Sequence, residues 1–259
     1  MDLRKLRKKP VKCEGCKILS VLRKRAELGR IGEKMIRIEK TKVYGFDAAI
    51  RGMRNPMNSW DKSDSEFYYQ DCGSCLHSLE DNCQLYDCTV IGKNDLELMK
   101  NLSKAGTDHS KYLRFITVTA DITAPMFWWF EYDTYKIGTV KNSCSKMHRI
   151  HVKPFNYDDF THKGIDEVAK EDSNIKAVFQ NYIDMIEWLR VQFNETQEKK
   201  YWRALIEMLP ESYNMRATVL MNYQVLKNMY HARKNHKLDC WIEFCKWIEE
   251  LPYAKELIC

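Results

Sequence analysis

Four cysteines fall within seventeen residues, spaced Cys72-x2-Cys75-x7-Cys83-x4-Cys88. A CxxC pair lets two thiolates grip one tetrahedral ion from a tight turn, and the second pair can close the shell at about 2.3 Å per Zn–S bond. Reduced thiols packing a small insert and disulfides suit the same four positions, so a structural zinc site is one of three readings. Cys13-x2-Cys16 is another such pair, with no local partner. A second region with chemical content is the run APMFWWFEYDTYKIGTVKNSCSKMHRIH, residues 124–151. Here Thr134, Thr139, Asn142, Ser143, Cys144 and Ser145 alternate with Lys136, Lys141 and Lys146. Such a composition can bind phosphate and a polar ring together; a polar surface helix followed by a loop has it too. Nucleophilic and phosphate-loop signatures are missing: there is no GxSxG, GxxxxGK[ST] or GxGxxG. His109, His148, His151, His231 and His236 are scattered. Glu131 and Asp133, two apart on a presumed helix, diverge and make no hydrolytic dyad.

The elements that must position these residues follow from periodicity. Met35 to Val43 alternates loosely and reads as a strand. Gly45 to Asp64, rich in Asn-Pro, Asn-Ser and Asp-Lys-Ser, reads as an ordered loop. Residues 65–92 show no clear period and form a Cys-rich insert. Asp95 to Ala105 predicts a helix closed by Gly106, and Arg114 to Thr123 (RFITVTADIT) a core strand. Thr123 and Pro125 suit the cap and first turn of a helix over Met126 to Tyr135. Ile175, Val178, Phe179, Tyr182, Ile186, Leu189 and Phe193 recur at helical spacing behind a cap at Ser173 or Asn174. Three more helices are expected near Tyr201 to Met208, Asn214 to His231 and Leu238 to Glu250, punctuated by Leu209-Pro210 and Leu251-Pro252. Strands early and helices late favour α+β over a doubly wound sheet.

At 259 residues and 44% apolar, with 12% aromatic residues, the chain has the material for a full core and is not disordered or fibrous. Neither a spanning apolar run nor an apolar segment behind the basic start MDLRKLRKKPVK is present, so a cytoplasmic protein with no membrane association is expected. Residues 1–43 hold fifteen Lys/Arg against five Asp/Glu, leaving 27 against 31 for the remainder. A basic N-terminal arm of this kind can contact nucleic acid or simply remain solvated. The chain divides into this arm with its first strand, 1–43, and a domain over 44–259 that carries the insert at 65–92.

Two blocks of residues resemble the flavin-dependent thymidylate synthases, in a divergent form of the phage and bacterial type. GTDHSKYLRFITVTADITAPMF matches the family's Gly/His segment, core strand and Ala-Pro turn, with His109 at a flavin-contacting position. Downstream, Leu209-Pro210 is followed without gaps by Asn222-Tyr-Gln-Val-Leu226-Lys-Asn228 and Arg233, where the family has Leu-Pro, N-x-R-x-L-x-N and an Arg. The family's R-H-R-x-x-S signature is replaced by Thr134-Tyr135-Lys136-Ile137-Gly138-Thr139, which keeps one cation, Lys136. Cys144 and Lys146 stand where Ser and Arg are expected. Ile206 replaces an Arg before Leu-Pro, with Arg203 one turn earlier. The common members have no counterpart of the insert.

The resemblance implies an α+β fold with a central, mostly antiparallel sheet flanked by helices. It implies a homotetramer with FAD and dUMP between subunits, and one-carbon transfer from methylenetetrahydrofolate through flavin to C5, with NADPH as reductant. His109, Lys136, Asn222 and Asn228 are then the flavin residues. Glu131, Thr134, Asn142 and Lys146 join Arg233 at the nucleotide, and Arg233 and Cys144 are the catalytic positions. Lys or Thr in place of Arg weakens fork-like phosphate recognition, so another pyrimidine or a hydroxymethyl product is also in range. Truncating Arg233 is expected to weaken nucleotide binding with little effect on melting temperature. A zinc-containing nucleic-acid-binding protein and a structural homologue without activity are the alternative readings.

Overall fold

Period-two alternation builds the centre of the molecule. In strand β4 (Thr117–Pro125), Val118, Ala120, Ile122 and Ala124 point inward and are at most 2% exposed. Strand β6 (Asn214–Asn222) presents Met215, Ala217, Val219 and Met221 to the same side. Their antiparallel register sets Val118 against Met221, Ala120 against Val219 and Ile122 against Ala217, so the inward side chains stack as cross-strand pairs. Strand β1 (Arg37–Tyr44) pairs with β4, and β5 (Thr139–Ser143) pairs with β6, both antiparallel. The sheet order is β1-β4-β6-β5, as expected of a mostly antiparallel α+β fold.

The computed structural model describes residues 34–68 and 88–259. The basic arm through residue 33 with Cys13 and Cys16, and the thiols of Cys72, Cys75, Cys83 and Cys88, on which the zinc reading rests, lie outside the described residues. Among the described residues, no group of three His, Cys, Asp or Glu is placed to hold a metal ion, and no helix is long and apolar enough to cross a membrane. A short pair, β2 (Glu66–Tyr68) with β3 (Cys88–Val90), closes the two ends of the insert on one another.

Two expectations are corrected here. Residues 214–231, read as one helix, are a strand to Asn222 and a helix, α8 (Tyr223–Arg233), after it. Met, Ala and Leu are good helix formers, and their propensity hides an alternation that only the buried face of β4 makes decisive. This also puts a strand late in the chain, after seven α-helices among the described residues, against the expected order. The presumed loop from Gly45 contains α1 (Phe46–Arg54), whose Phe46, Ala49, Ile50 and Met53 bury an i, i+3, i+4, i+7 stripe. Gly45 enters it at φ 90°, with a Cβ there falling 2.2 Å from the Phe115 carbonyl oxygen. Beyond α1 the chain makes two 3-10 turns, Asn55–Met57 and Trp60–Lys62.

Arg54 and Asp95 secure those turns. Arg54 Nε donates to Asp95 at 2.7 Å, and its other nitrogens donate to the carbonyls of Ser59 (3.1 Å) and Lys62 (3.0 Å). The second Asp95 oxygen accepts from the hydroxyls of Ser63 and Ser65 at 2.7 and 2.6 Å. Both charges are buried and fully hydrogen-bonded, the condition under which such a pair is tolerated.

Helix α2 (Lys93–Lys104) and a 3-10 turn (Ser110–Arg114) lead into β4; Arg114, read as strand, belongs to the turn. The strand-to-helix junction falls where expected, with α3 spanning Met126–Tyr132. Pro125 itself, at φ −65°, ψ 153°, is the cap, and the strand runs through Thr123. Helix α3 buries Trp128, Trp129 and Tyr132 against Trp241 and Phe244 of α9 (Asp239–Glu249), with Trp128 and Trp241 centroids 4.9 Å apart. Helices α4 (Lys146–Arg149), α5 (Lys163–Val168), α6 (Asn174–Thr196) and α7 (Lys199–Glu207) lie between β5 and β6. A second apolar cluster there joins Ile183, Ile186 and Leu189 to Phe160 and Leu205. Helix α10 (Ala254–Leu257) ends the chain's elements.

Candidate functional site

Helix α8 and its cap hold three of the matched positions, Asn222, Asn228 and Arg233. Its cap is Asn222, whose side-chain oxygen accepts from the Val225 N–H at 2.9 Å, a bond worth about 1 kcal/mol to the helix. Gly138, at φ 84°, packs against the same amide, with a Cβ there falling 2.5 Å from Asn222 Nδ2. The Asn222 N–H in turn donates to the Gly138 carbonyl at 3.3 Å. The segment carrying Lys136 is thereby latched to the start of α8.

In the first turn of α8, buried Gln224 accepts from Ser110 Oγ at 2.8 Å and donates to Asn228 Oδ1 at 3.3 Å. Ser110 follows His109, which caps the 3-10 turn before β4 and is exposed. These bonds bring His109 and Asn228 to one locality. Lys136 is exposed and forms no ion pair among the described residues. Thr134 and Thr139 are occupied locally, donating to the carbonyls of Glu131 at 2.7 Å and Tyr135 at 2.6 Å.

At the far end of α8, Arg233 is not free. It pairs with Glu131, donates from Nε to the Tyr135 hydroxyl at 3.1 Å and lies with its guanidinium 4.8 Å from the Trp241 ring centroid. The Leu238 N–H donates to His236 Nδ1 at 3.2 Å, which assigns the ring proton of the neutral imidazole to Nε2, 3.5 Å from Glu131. Arg233 Nη1 also lies 3.0 Å from His236 Nε2. Arg233 therefore contributes to the fold, against the expectation that its truncation leaves melting unchanged.

Cys144 and Lys146 lie elsewhere, past the end of edge strand β5. The Cys144 N–H donates to the Arg216 carbonyl at 2.9 Å, and Ser145 caps α4 by accepting from the His148 N–H at 3.2 Å. A cavity of about 270 Å³ there is lined by Cys144 and five cations, with Asp159 as its one carboxylate. Lys153 is paired with Asp159 at 3.1 Å and Arg216 with Asp121 at 2.8 Å. Lys146 and Arg149, one turn apart on α4, carry no ion pair among the described residues. Burial, and then the charge of Lys141, pushes the Lys146 ammonium below its ordinary pKa. Asn142 is exposed opposite Thr218, and Lys141 is held by Asp133 at 2.5 Å.

The expected residues thus form a group along α8 and a basic cavity at α4. No hydrogen bond or ion pair among the described residues joins Arg233 to Cys144 or Lys146. Arg203 lines a third place, a cleft beside α7. Reading motifs alone missed Ser110, Gln224, Arg149 and His236. Arg149, three residues after Lys146, had a signal in that helical spacing; the others depend on contacts between segments distant in sequence.

No family model matches the chain, and no curated protein matches it in sequence. Solved structures do match. Thymidylate synthase X from Helicobacter pylori, crystallised with FAD and dUMP, superposes with a TM-score of 0.57 at 17% identity, over 86% of this chain and 96% of that one. A second structure of the H. pylori flavin-dependent enzyme, complexed with FAD and dUMP, gives 0.55 at 19%, over 85% and 98%. The fold of this chain is that of the flavin-dependent thymidylate synthases, at a divergent level of sequence.

Proposed function

We propose that this chain binds FAD and a pyrimidine deoxynucleotide and transfers a one-carbon unit to C5 of the pyrimidine, as a divergent relative of the flavin-dependent thymidylate synthases. The observation that carries this reading is the chain of Ser110–Gln224–Asn228 bonds, which brings His109 of the turn before β4 to the locality of Asn228 on α8, the helix that Asn222 caps and Arg233 ends. The residues fit a flavin at those positions: the Asn222 and Asn228 amide nitrogens, the His109 ring and the Lys136 ammonium are all available as donors. Bound FAD supplies an electron pair and carries the one-carbon unit, with methylenetetrahydrofolate as donor and NADPH as reductant.

The chain's own groups bind and orient. Lys136 stands for the cations of the family's signature, and Asn222 and Asn228 donate to ring carbonyls. Lys146 and Arg149 offer positive charge to the nucleotide phosphate, with Cys144 in the same cavity and Asn142 two residues before it on β5. Glu131, Thr134 and Arg233 contribute at the pyrimidine, where Arg233 must exchange Glu131 for the ligand. A site completed between subunits of a homotetramer would bring together Arg233 and the basic cavity, which no hydrogen bond or ion pair among the described residues joins.

The test is the visible spectrum of the purified protein, with and without added FAD, followed by tritium release from 5-tritiated dUMP and dCMP. Flavin binding with release from either nucleotide is expected; failure to bind flavin and both nucleotides would refute the reading. A nucleotide-binding protein without turnover is the second reading. It is favoured by the local hydrogen bonds of Thr134 and Thr139 and the ion pair of Arg233, and would bind nucleotide without releasing tritium.

A further inference from the structure

We propose that the cleft between α4, α6 and α7 is a binding site for a planar aromatic anion, independent of the flavin reading. The two faces of α4 serve different spaces. Lys146, Arg149 and Ile150 face the basic cavity, while Met147, His148 and His151 face this cleft. Its volume is about 540 Å³, within the roughly 300–1,000 Å³ of small-molecule sites.

The lining combines a stacking surface with unneutralised charge. Trp202 and Phe193 form the apolar walls, and the His151 ring stands edge-on to Phe193 at 5.0 Å. Lys199, Trp202 and Arg203 occupy i, i+3 and i+4 of α7 and so share one face of that helix. No Asp or Glu lines the cleft. Lys199 and Arg203 form no ion pair among the described residues, although the next lysine, Lys200, pairs with Glu198 at 2.7 Å.

The cleft is also preorganised. The His151 carbonyl is held by Arg190 at 3.1 Å and Asn194 at 2.9 Å, so the turn bearing the ring is fixed before any ligand arrives. An aromatic face suits Trp202 and Phe193, and a carboxylate or phosphate head suits Lys199 and Arg203.

Phenyl phosphate and benzoylglycine serve as probes of the two head groups, with inorganic phosphate and benzyl alcohol as the separate halves. Calorimetry and ligand-observed NMR on the full chain should show at least one aromatic anion binding more tightly than either half. The Lys199→Gln/Arg203→Gln variant should weaken it about tenfold or more, with an unchanged melting temperature because both side chains are exposed. Lys146→Gln, on the other face of α4, should leave it unchanged. The proposal is overturned if neither probe binds, if inorganic phosphate binds as well as phenyl phosphate, or if the double variant binds like wild type while Lys146→Gln does not.

Discussion

Replacing Arg233 with Ala removes three partly buried interactions at once. The side chain is 19% exposed and Glu131 is 32% exposed, so the ion pair is screened but not dissolved. Charged hydrogen bonds contribute about 1.5–3 kcal/mol; solvent screening at this exposure reduces that to about 1–1.5 kcal/mol. Loss of the guanidinium from the Trp241 face, 4.8 Å away, adds about 1 kcal/mol. The sum, about 2–2.5 kcal/mol, corresponds to a fall in Tm of about 4–10 °C for a chain of this size. Thermal and urea unfolding of wild type, Arg233→Ala, Glu131→Ala and the double variant would show it, with a coupling energy of about 1 kcal/mol between the two sites. A Tm change under about 1 °C, or strictly additive effects in the cycle, would refute the reasoning.

Lys146→Gln/Arg149→Gln should raise the dUMP dissociation constant about tenfold or more at low salt and leave Tm within about 1 °C, as measured by calorimetry at two ionic strengths. Gly138→Ala should destabilise by about 1–3 kcal/mol, because it combines a left-handed φ with a 2.5 Å approach to Asn222; urea unfolding reads it, and wild-type stability would contradict the latch. Burial favours a neutral Asp95, but the Ser65 and Ser63 hydroxyls and Arg54 outweigh it and hold the carboxyl below its ordinary pKa. A depressed folded-state pKa stabilises fully above the unfolded value near 3.9 and is lost as pH falls through the folded one. Asp95→Ala, which leaves Arg54 buried without its partner, should therefore cost about 3–5 kcal/mol at neutral pH and progressively less as the solution is acidified below that range. An equal loss at all pH values would contradict this.

Where local pattern and tertiary demand agree, the fold was legible. RFITVTADIT followed by Ala-Pro contains both the alternation of β4 and the break into α3, and the stripe from Ile175 to Phe193 contains α6. Asn214 to Asn222 was opaque because its side chains favour a helix in isolation, and only pairing with β4 makes a strand of them. Asn-Pro and Asn-Ser drew attention to the 3-10 turns after residue 54 and away from the buried stripe of α1 just before them. At the site, Asn222, Asn228 and His109 could be matched as letters. The partners that organise them could not, because Ser110 and Gln224 are 114 residues apart in sequence. The same separation hid the engagement of Arg233 with Glu131, 102 residues earlier.

The β2–β3 pair bears on how this chain could have acquired its extra segment. Tyr68 and Cys88 are partners on adjacent strands, which places their Cα atoms about 4.5–5.5 Å apart. Immediately outside them, Ser65 and Asp95 are joined through the buried carboxylate. The two chain ends are thus brought together by the host fold, and a loop of any length between them adds a closure entropy that grows only with the logarithm of its length. The entry and exit of the cysteine-bearing segment are thus set from outside it, by the β2–β3 ladder and the buried carboxylate.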